Sequence, residues 1–596
     1  MGSPLYLSIS ISLLNLLLLF FLVSSVRPLC HPDERSALLQ FKETFVINNS
    51  ASGSLDAHAK TESWKLERES GDCCSWDGVE CDNGTGHVTG LNLGSSYLYG
   101  SIDSSSSLFH LVHLQRLNLA DNVFKNSKVP SEVRNLSRLT SLNLSYSEFS
   151  GQIPSEILEL SELQLLDLSG NSLKLRKTGL SSLLEKLTKL QVLYLTDVRI
   201  SSSVPNILAN FSSLKALILS NCDLRGEFPT GIFELPALQF LSLRSNPKLT
   251  GYLPDIQSNH PLLKLSLANT SFFGQMPESF GNFKSLEFLD INNCHFSGKL
   301  PCSLGNLTKL NYLVLSFNSF WRTIPPSVGN LNQLRVLDFS YNNFSGEIPS
   351  SLANLTQLVY LSLATNHFDP RTVSWLGTQI NLRYLGLSNT RLAGNIPSAL
   401  KNLTQITSLD LWFNRLEGQI PPWIGNLTKL TRIQFQENIL SGPIPESIFK
   451  LENLELLHLQ FNQLNGILKL DSFLELKNLT GLQLSGNNLS LLNTVGINAT
   501  APKLKLLGLA SCNLSEFPDF LRSQDELEFL ELAGNNIHGQ IPKWFLRVGK
   551  ETLWNLNLGF NFLTRFEELP ARLGCHETCQ YNQLIPIHES QYKLQS

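Results

Sequence analysis

A short segment with the pattern Leu-x-Leu recurs along most of the chain. In each copy, apolar residues alternate with residues of other kinds. Between residues 217 and 457 its first residue returns every 24 positions. Alternation with a period of two predicts a strand whose leucines point into a core while the middle residue faces solvent. Repetition at a fixed period predicts stacked coils whose strands form one parallel sheet. We call the first residue of each segment its register residue: Leu91, Leu117, Leu142, Leu166, Leu193, Leu217, Leu241, Leu265, Leu289, Leu313, Leu337, Leu361, Leu385, Leu409, Ile433, Leu457, Leu482, Leu507, Leu530 and Leu556.

Two further features repeat with the segment. In many coils an asparagine stands five residues after the register residue, where its amide can satisfy buried backbone groups of the neighbouring coil. These predicted ladder asparagines are Asn318, Asn342, Asn366, Asn414, Asn438 and Asn462. A Gly-x-Ile-Pro sequence follows, as in Gly346–Pro349 and Gly418–Pro421. It predicts a turn onto the outer face, because glycine permits positive φ and proline has no backbone donor.

Composition narrows the class of protein. The 596 residues include 46 Lys and Arg against 50 Asp and Glu, a formal net charge of −4, so a basic nucleic-acid-binding surface is not supported. The one long apolar run, Leu5–Val23, lies at the N-terminus. We predict a signal peptide over residues 1–25, with an uncleaved membrane anchor as the alternative. Either way the rest of the chain is delivered to the extracellular side of the secretory pathway, and is secreted or held at the plasma membrane.

The full repeating unit is LxxLxLxxNxxSGxIPxxIGNLTx, and ahead of the repeats stand Cys30–Phe41 (CHPDERSALLQF) and Asp72–Cys81 (DCCSWDGVEC). On these residues the sequence resembles plant extracellular leucine-rich-repeat proteins, in particular receptor-like proteins such as the tomato leaf-mould resistance receptors. The resemblance covers roughly residues 30–565. It implies an α/β solenoid, a leucine-rich-repeat superhelix with a concave parallel β-sheet and a disulfide-bonded N-terminal cap. We predict a cap over residues 26–90, about 20 repeats over 91–565 and a divergent polar tail over 566–596.

Four cysteines lie in the predicted cap: Cys30, Cys73, Cys74 and Cys81. An oxidising compartment favours two disulfides, and the resemblance suggests Cys30–Cys73 and Cys74–Cys81, although four cysteines allow three pairings. A zinc site is the alternative, but no histidine completes a suitable ligand spacing, so we predict no metal site. A cap helix carrying Leu38, Phe41 and Phe45 on one face should cover the core of the first coil.

Of the other cysteines, Cys302 follows Pro301 on the outer face and has no obvious partner, and the remaining five fall in two groups. Cys222, Cys294 and Cys512 stand at the ladder position, where we expect them to replace asparagine structurally. Cys575 and Cys579 lie in the tail, where one interpretation is a disulfide that closes the last coil. The simpler interpretation is a truncated product or a mis-called exon, because receptor-like proteins continue from such a point through further coils, a cap, a membrane helix and a cytoplasmic tail.

Asparagine glycosylation motifs recur along the repeats. Six acceptors stand seven residues before a register residue and so share one face: Asn135, Asn210, Asn306, Asn354, Asn402 and Asn426. In a secreted protein, exposed motifs of this kind are favoured sites for attachment of glycans. The alternative is that the GNLT sequence recurs only because it is part of the repeating unit. A glycan-coated flank would be a poor partner surface.

Aromatic residues concentrate beside the strands of the middle coils: Phe288, Tyr312, Phe317, Tyr341, Tyr360, Tyr384, Trp412, Phe413 and Phe461. We predict that they face solvent on the concave sheet and bind a ligand, because large rigid side chains are favoured anchors. The alternative is that they pack against neighbouring strands and stiffen the sheet. Charged residues are interleaved with them, namely Asp290, Asp338, Asp410, Arg335, Arg383 and Arg432, which suits a ligand with both charges or with hydroxyl groups.

No catalytic motif is present. The 12 histidines are scattered, and the sequence has no GxSxG, HExxH, phosphate-binding glycine loop or kinase motif. We therefore predict that the protein is not an enzyme and needs no cofactor.

Three functions remain open. The first is an extracellular recognition module of immunity or development that binds a peptide, protein or glycan on its concave face; the resemblance alone implies co-receptor kinases as further partners. The second is a secreted inhibitor of pathogen hydrolases, similar to polygalacturonase-inhibiting proteins, which are about half this length. The third is a non-functional fragment of a receptor.

Overall fold

The computed structural model describes residues 29–65, 72–175, 179–257, 260–370, 373–492 and 501–567. The predicted signal peptide and the tail cysteines Cys575 and Cys579 lie outside these residues. The chain forms two compact units, residues 1–273 and residues 274–596. Among the described residues, no helix is both long enough and apolar enough to cross a membrane.

The first unit begins with the cap and continues with repeat coils. Its α-helices are Pro32–Glu43 and Gly179–Lys186. Its main-sheet strands are Val79–Cys81, Val88–Asn92, Arg116–Asn118, Ser141–Asn143, Leu165–Asp167, Val192–Tyr194, Ala216–Ile218, Phe240–Ser242 and Lys264–Ser266. The other strands that start in it are Phe45–Ile47, Leu98–Gly100, Val123–Phe124, Ser150–Gln152, Ser172–Lys174, Arg225–Glu227, Asn246–Gly251 and Thr270–Gln275. Its 3-10 helices are Asn49–Ala51, Lys60–Ser63, Cys73–Ser75, Ser107–His110, Ser131–Asn135, Ser155–Glu159, Asn206–Asn210 and Thr230–Glu234.

The second unit is built from repeat coils, with one short α-helix, Asp471–Leu474. Its main-sheet strands are Phe288–Asp290, Tyr312–Val314, Val336–Asp338, Tyr360–Ser362, Tyr384–Gly386, Ser408–Asp410, Arg432–Gln434, Leu456–His458, Gly481–Gln483, Leu506–Gly508, Phe529–Glu531 and Asn555–Asn557. Its other strands are His295–Gly298, Ser319–Arg322, Asn343–Gly346, His367–Phe368, Ala393–Asn395, Arg415–Gly418, Ile439–Gly442, Gln463–Lys469, Asn488–Leu492, His538–Ile541 and Phe562–Phe566. Its 3-10 helices are Glu278–Asn282, Cys302–Asn306, Pro326–Asn330, Ser350–Asn354, Ser374–Thr378, Ser398–Asn402, Pro422–Asn426, Glu446–Lys450, Asp519–Ser523 and Lys543–Arg547.

Within each unit the Leu-x-Leu segments pair in parallel and in register. Leu289 lies opposite Leu313, and Leu313 lies opposite Leu337. All three register residues are fully buried, so the alternation of the sequence places them in the core as predicted. The predicted solenoid of stacked coils with a parallel sheet is confirmed. The first strand is an exception, because Val79–Cys81 pairs antiparallel with Val88–Asn92 inside the cap.

The ladder asparagines join successive coils. Nδ2 of Asn342 donates to the carbonyl oxygen of Leu315 at 2.9 Å, and its Oδ1 accepts from the amide of Phe320 at 3.0 Å. The other predicted ladder asparagines make equivalent bonds, as do Asn122, Asn171, Asn246, Asn487, Asn535 and Asn561. The three cysteines predicted at this position are buried and form no disulfide; Sγ of Cys222, for example, lies 3.0 Å from the carbonyl oxygen of Leu195.

The cap contains the two disulfides that the resemblance implied, Cys30–Cys73 and Cys74–Cys81. Its helix buries Leu38 and Phe41 completely. The prediction that Phe45 belongs to this helix is wrong, because the helix ends at Glu43 and Phe45 starts a strand that pairs with Leu98–Gly100. The run Phe-Val-Ile favours extended structure, since aromatic and β-branched residues pack well in strands. Phe45 still packs edge-on against Phe41 and Phe124, at ring distances of 4.9 and 5.4 Å.

Candidate ligand-binding face

The nine aromatic residues singled out in the sequence all lie in the second unit, where they form two columns and one bridging residue. The strand column holds the residue just before the register residue: Phe288, Tyr312, Tyr360 and Tyr384. Ring centroids in this column are 4.3 Å apart for Phe288 and Tyr312 and 4.4 Å apart for Tyr360 and Tyr384, with nearly parallel planes. All four side chains are half-buried. They therefore lie at the sheet surface and also pack against a neighbouring strand, and ligand binding by them stays a prediction.

The turn column holds the residue four positions after the register residue: Phe317, Tyr341, Phe413 and Phe461. Phe317 and Tyr341 stack at 4.1 Å. All four are exposed, and Phe413 and Phe461 retain 52% and 58% of their accessible surface. Trp412 is half-buried and bridges the columns, with its ring 6.0 Å from that of Phe413.

The backbone of the turn column is left-handed, with φ between 51° and 57° at all four aromatic residues. This region is unfavourable for bulky side chains. The equivalent residues Asn293, Thr365 and Asn389 adopt the same conformation, so the turn needs no aromatic side chain. The left-handed turn is therefore a property of the repeat, and the four aromatic side chains add exposed apolar surface to it.

Tyr384 connects the strand column to a buried acid. Its hydroxyl lies 3.5 Å from Oδ2 of Asp410 on the next strand. Burial raises the pKa of Asp410 to about 6, because the charged carboxylate loses its hydration; nearby donors on Trp412, Tyr384 and Ser388 oppose this effect only in part. Burial likewise raises the pKa of Tyr384, and raises that of Tyr360 to about 12, with nearby aspartates adding to both shifts.

The coils after Tyr384 carry buried polar atoms that have no hydrogen-bond partner of good geometry. One of them, Oγ of Ser447, lies on a 3-10 helix, and the other four are Oδ1 of Asp410, Oε1 of Gln436, Nε2 of His458 and Oε1 of Gln460. These four side chains stand one or three residues after the register residue on three consecutive coils. Burial lowers the pKa of His458, which favours its neutral form. Unpaired buried polar groups are destabilising, and either a water molecule or a polar group of a ligand can complete them. Sequence analysis named Asp410 but missed the other three, whose only signal was polarity at these two repeat positions.

A groove of about 450 Å³ opens beside the strand column. Its lining residues are Arg335, Gln357, Val359, Ile380, Asn381, Arg383, Thr404 and Gln405. No lining residue is acidic, and neither Arg335 nor Arg383 has an ion-pair partner among the described residues. Lys429 adds a third cation, because its Nζ donates to Oε1 of Gln405 at 2.5 Å. Arg432, also predicted as part of the strip, instead lies 3.8 Å from Glu455.

The six predicted glycan acceptors lie outside this face. Each is the last residue of a 3-10 helix and is exposed. Their positions are compatible with modification, which stays a prediction. Thr404, which belongs to the glycosylation motif of Asn402, lines the groove.

Known families match several stretches of the chain. Residues 31–82 match the Leucine rich repeat N-terminal domain, residues 266–378 the Leucine-rich repeat region and residues 404–464 the Leucine rich repeat. Residues 138–160, 381–403 and 526–547 each match a single Leucine Rich Repeat. The chain belongs to the leucine-rich-repeat proteins. The matches begin in the cap and reach the last coils, as the sequence resemblance predicted.

Relatives of this leucine-rich-repeat protein include plant receptor-like proteins. Receptor-like protein 6 of Arabidopsis thaliana is 39% identical over 310 residues, which are 48% of this chain and 31% of the relative. Receptor-like protein Cf-9 of Solanum pimpinellifolium is 34% identical over 301 residues, covering 44% of this chain and 32% of the relative. The chain thus spans about a third of the length of these relatives.

Solved structures give a second comparison for the leucine-rich-repeat protein. The plant peptide hormone receptor RGFR1, in complex with RGF2, superposes with a TM-score of 0.65 at 28% identity, covering 82% of this chain and 84% of the receptor. The Arabidopsis receptor kinase HAESA, in complex with the peptide hormone IDA and the co-receptor SERK1, gives a TM-score of 0.61 at 26% identity, covering 90% and 94%. Both likenesses support the same coiled fold.

Proposed function

We propose that this chain is an extracellular recognition module that binds a peptide or protein ligand across the strands around Tyr384 and Trp412. The observation that carries the proposal is that exposed aromatic rings and buried polar atoms without hydrogen-bond partners occur in neighbouring coils. Exposed aromatic rings offer apolar contacts, and the unpaired atoms of Asp410, His458 and Gln460 require polar ones. A peptide supplies both, because its side chains and backbone amides alternate along an extended chain.

The surrounding chemistry supports a binding module rather than an enzyme. The described residues of this face present aromatic rings, amides, hydroxyls and a few charged groups spread over several coils, a mixture that suits binding of a peptide. Peptide hormones occupy the structurally similar RGFR1 and HAESA complexes. The HAESA complex also includes a co-receptor, so a co-receptor kinase is the second class of partner that we propose.

The cap supports the extracellular location. Its two disulfides persist in oxidising compartments and are rare in the cytosol. The apolar segment Leu5–Val23 supplies the route of export. Glycans at the 3-10 helices would then cover surfaces other than the proposed binding face.

The test uses a displayed library of random peptides panned against the immobilised protein. We expect selected peptides to bind the double variant Phe413→Ala/Phe461→Ala at least tenfold more weakly than the parent. The matched control is Tyr146→Ala, which removes an aromatic side chain from the same repeat position, with φ of 52° and 61% exposure, in the first unit. Binding that is lost equally in both variants, or retained in both, would refute the proposed face.

A further inference from the structure

The cap contains a cluster of imidazoles around one buried carboxylate. Glu34, on the helix Pro32–Glu43, has a side chain that is only 8% exposed. Its Oε2 accepts from the amide of Val88 at 2.9 Å, while its Oε1 lies 3.2 Å from Nδ1 of His87 and 3.3 Å from Nδ1 of His113. The cluster therefore joins the cap helix to residues 53 and 79 positions away along the chain.

Ring stacking fixes the histidines side by side. The His87 and His113 rings are 3.6 Å apart with an interplanar angle of 19°. His31 stacks on His87 at 3.9 Å, and its Nε2 lies 3.0 Å from the carbonyl oxygen of Thr85. His31 thus covers one face of the His87 ring and lies outside the set of three donor atoms around Glu34.

The carboxylate oxygen of Glu34 and one ring nitrogen each of His87 and His113 have the chemistry and spacing of the ligands in a metal site. The donor atoms of Glu34, His87 and His113 all lie within 4.8 Å of one another. Donors around a tetrahedral zinc ion stand about 3.3 Å apart, given bonds of roughly 2.0–2.1 Å. The distances from Oε1 to the two Nδ1 atoms match this spacing. Two imidazoles and a carboxylate suit borderline divalent ions, and the two rings are each about a quarter exposed, which leaves a path for an ion and a water ligand.

We propose that Glu34, His87 and His113 bind a borderline divalent cation such as Zn²⁺, which ties the cap helix to the first coils. Binding requires both imidazoles to be neutral with the hydrogen on Nε2, so that each Nδ1 presents a lone pair. The ion then takes the place of the hydrogens in the two bonds between Nδ1 and Oε1 of Glu34, whose present spacing it uses. The cap cysteines take no part, because all four form disulfides.

The experiment is a calorimetric titration of the secreted protein with ZnCl₂ at neutral pH, after removal of metals with a chelator. We expect one Zn²⁺ ion per chain. The variant His113→Asn should bind at least tenfold more weakly, because Asn can still donate a hydrogen bond to Glu34 but is a poor zinc ligand. The matched control is His58→Asn, which changes another cap histidine, 2.8 Å from Asp77 and outside the cluster. This variant should bind Zn²⁺ like the parent.

Melting temperatures separate metal binding from folding. Zn²⁺ should raise the melting temperature of the parent and of His58→Asn, relative to the chelator-treated protein, but not that of His113→Asn. If the parent takes up no stoichiometric Zn²⁺, the cluster is only a hydrogen-bonded link between cap and coils. If His113→Asn binds Zn²⁺ as tightly as the parent, the ion lies elsewhere. Either result overturns the proposal.

Discussion

Tyr384 and Asp410 lie on adjacent strands, with the tyrosine hydroxyl 3.5 Å from Oδ2 of a carboxylate that is almost fully buried. Donors on Trp412 and Ser388 also face this carboxylate, yet its burial still raises its pKa to about 6. A buried acid with a raised pKa beside stacked aromatic rings is a candidate binding group, which agrees with the proposed function.

The first prediction concerns the pH dependence of stability. The pKa of Asp410 is about 6 in the folded protein and about 3.9 in an unfolded chain, so the folded state holds the extra proton between these values. Stability from this group therefore falls as pH rises from about 4 to about 6. Asp410→Asn should remove the effect and raise stability at neutral pH by at most about 3 kcal/mol.

Melting temperatures of parent and Asp410→Asn across this pH range test the prediction. The matched control is Asp338→Asn in the same repeat position, where the carboxylate accepts from both the amide and the hydroxyl of Ser340, at 3.0 and 2.6 Å. The asparagine keeps an oxygen that can accept both bonds but loses the charge that strengthens them, so this variant should not be stabilised. A gain in Asp338→Asn equal to that in Asp410→Asn would contradict the argument.

The second prediction separates core, stacking and exposed side chains within neighbouring coils. Leu411→Ala should destabilise the protein by about 2–5 kcal/mol, because Leu411 is fully buried and leaves a cavity. Tyr384→Ala should cost about 1 kcal/mol or more, since it loses the stack on Tyr360. Phe413→Ala should cost little. Chemical denaturation gives the ranking, and a Phe413 variant as unstable as the Leu411 variant would show that the turn column serves packing.

The third prediction ranks the two cap disulfides. The Cys30–Cys73 bond joins cysteines 43 positions apart in the sequence. The Cys74–Cys81 bond joins cysteines only 7 positions apart and so closes a much shorter loop. Loop entropy predicts a loss of about 4 kcal/mol without the first bond and about 2 kcal/mol without the second. Paired Cys→Ala variants should therefore lower secretion yield and melting temperature in that order. Equal losses would show that contacts local to each bond, rather than chain entropy, determine its contribution.

Sequence periodicity predicted the coils well because their determinants are local. Leu313 and Asn342 occupy repeat positions whose burial follows from spacing alone, and both lie where expected. Phe45 departs from the predicted helix because its β-branched neighbours favour a strand. The cluster at Glu34 could not be predicted, since stacking of His87 on His113 depends on contacts between distant segments. Ligand binding by the aromatic columns stays a prediction, although their stacking and exposure are now described.

The last prediction concerns the groove beside Tyr384. Arg335 and Arg383 line it without ion-pair partners among the described residues, and Lys429 lies at its margin. Unpaired guanidinium groups bind carboxylates in a geometry that can be bidentate, so selected peptides should be enriched in acidic residues.

Replacing both arginines with Gln should weaken binding of an acidic peptide at least tenfold and reduce the dependence of its association rate on salt. The matched control is Arg432→Gln, whose guanidinium is already paired with Glu455. Association rates at low and high ionic strength measure both effects. If the double variant binds acidic peptides as fast as the parent at low ionic strength, the groove does not contribute to recognition, and the acidic preference must come from another part of the sheet.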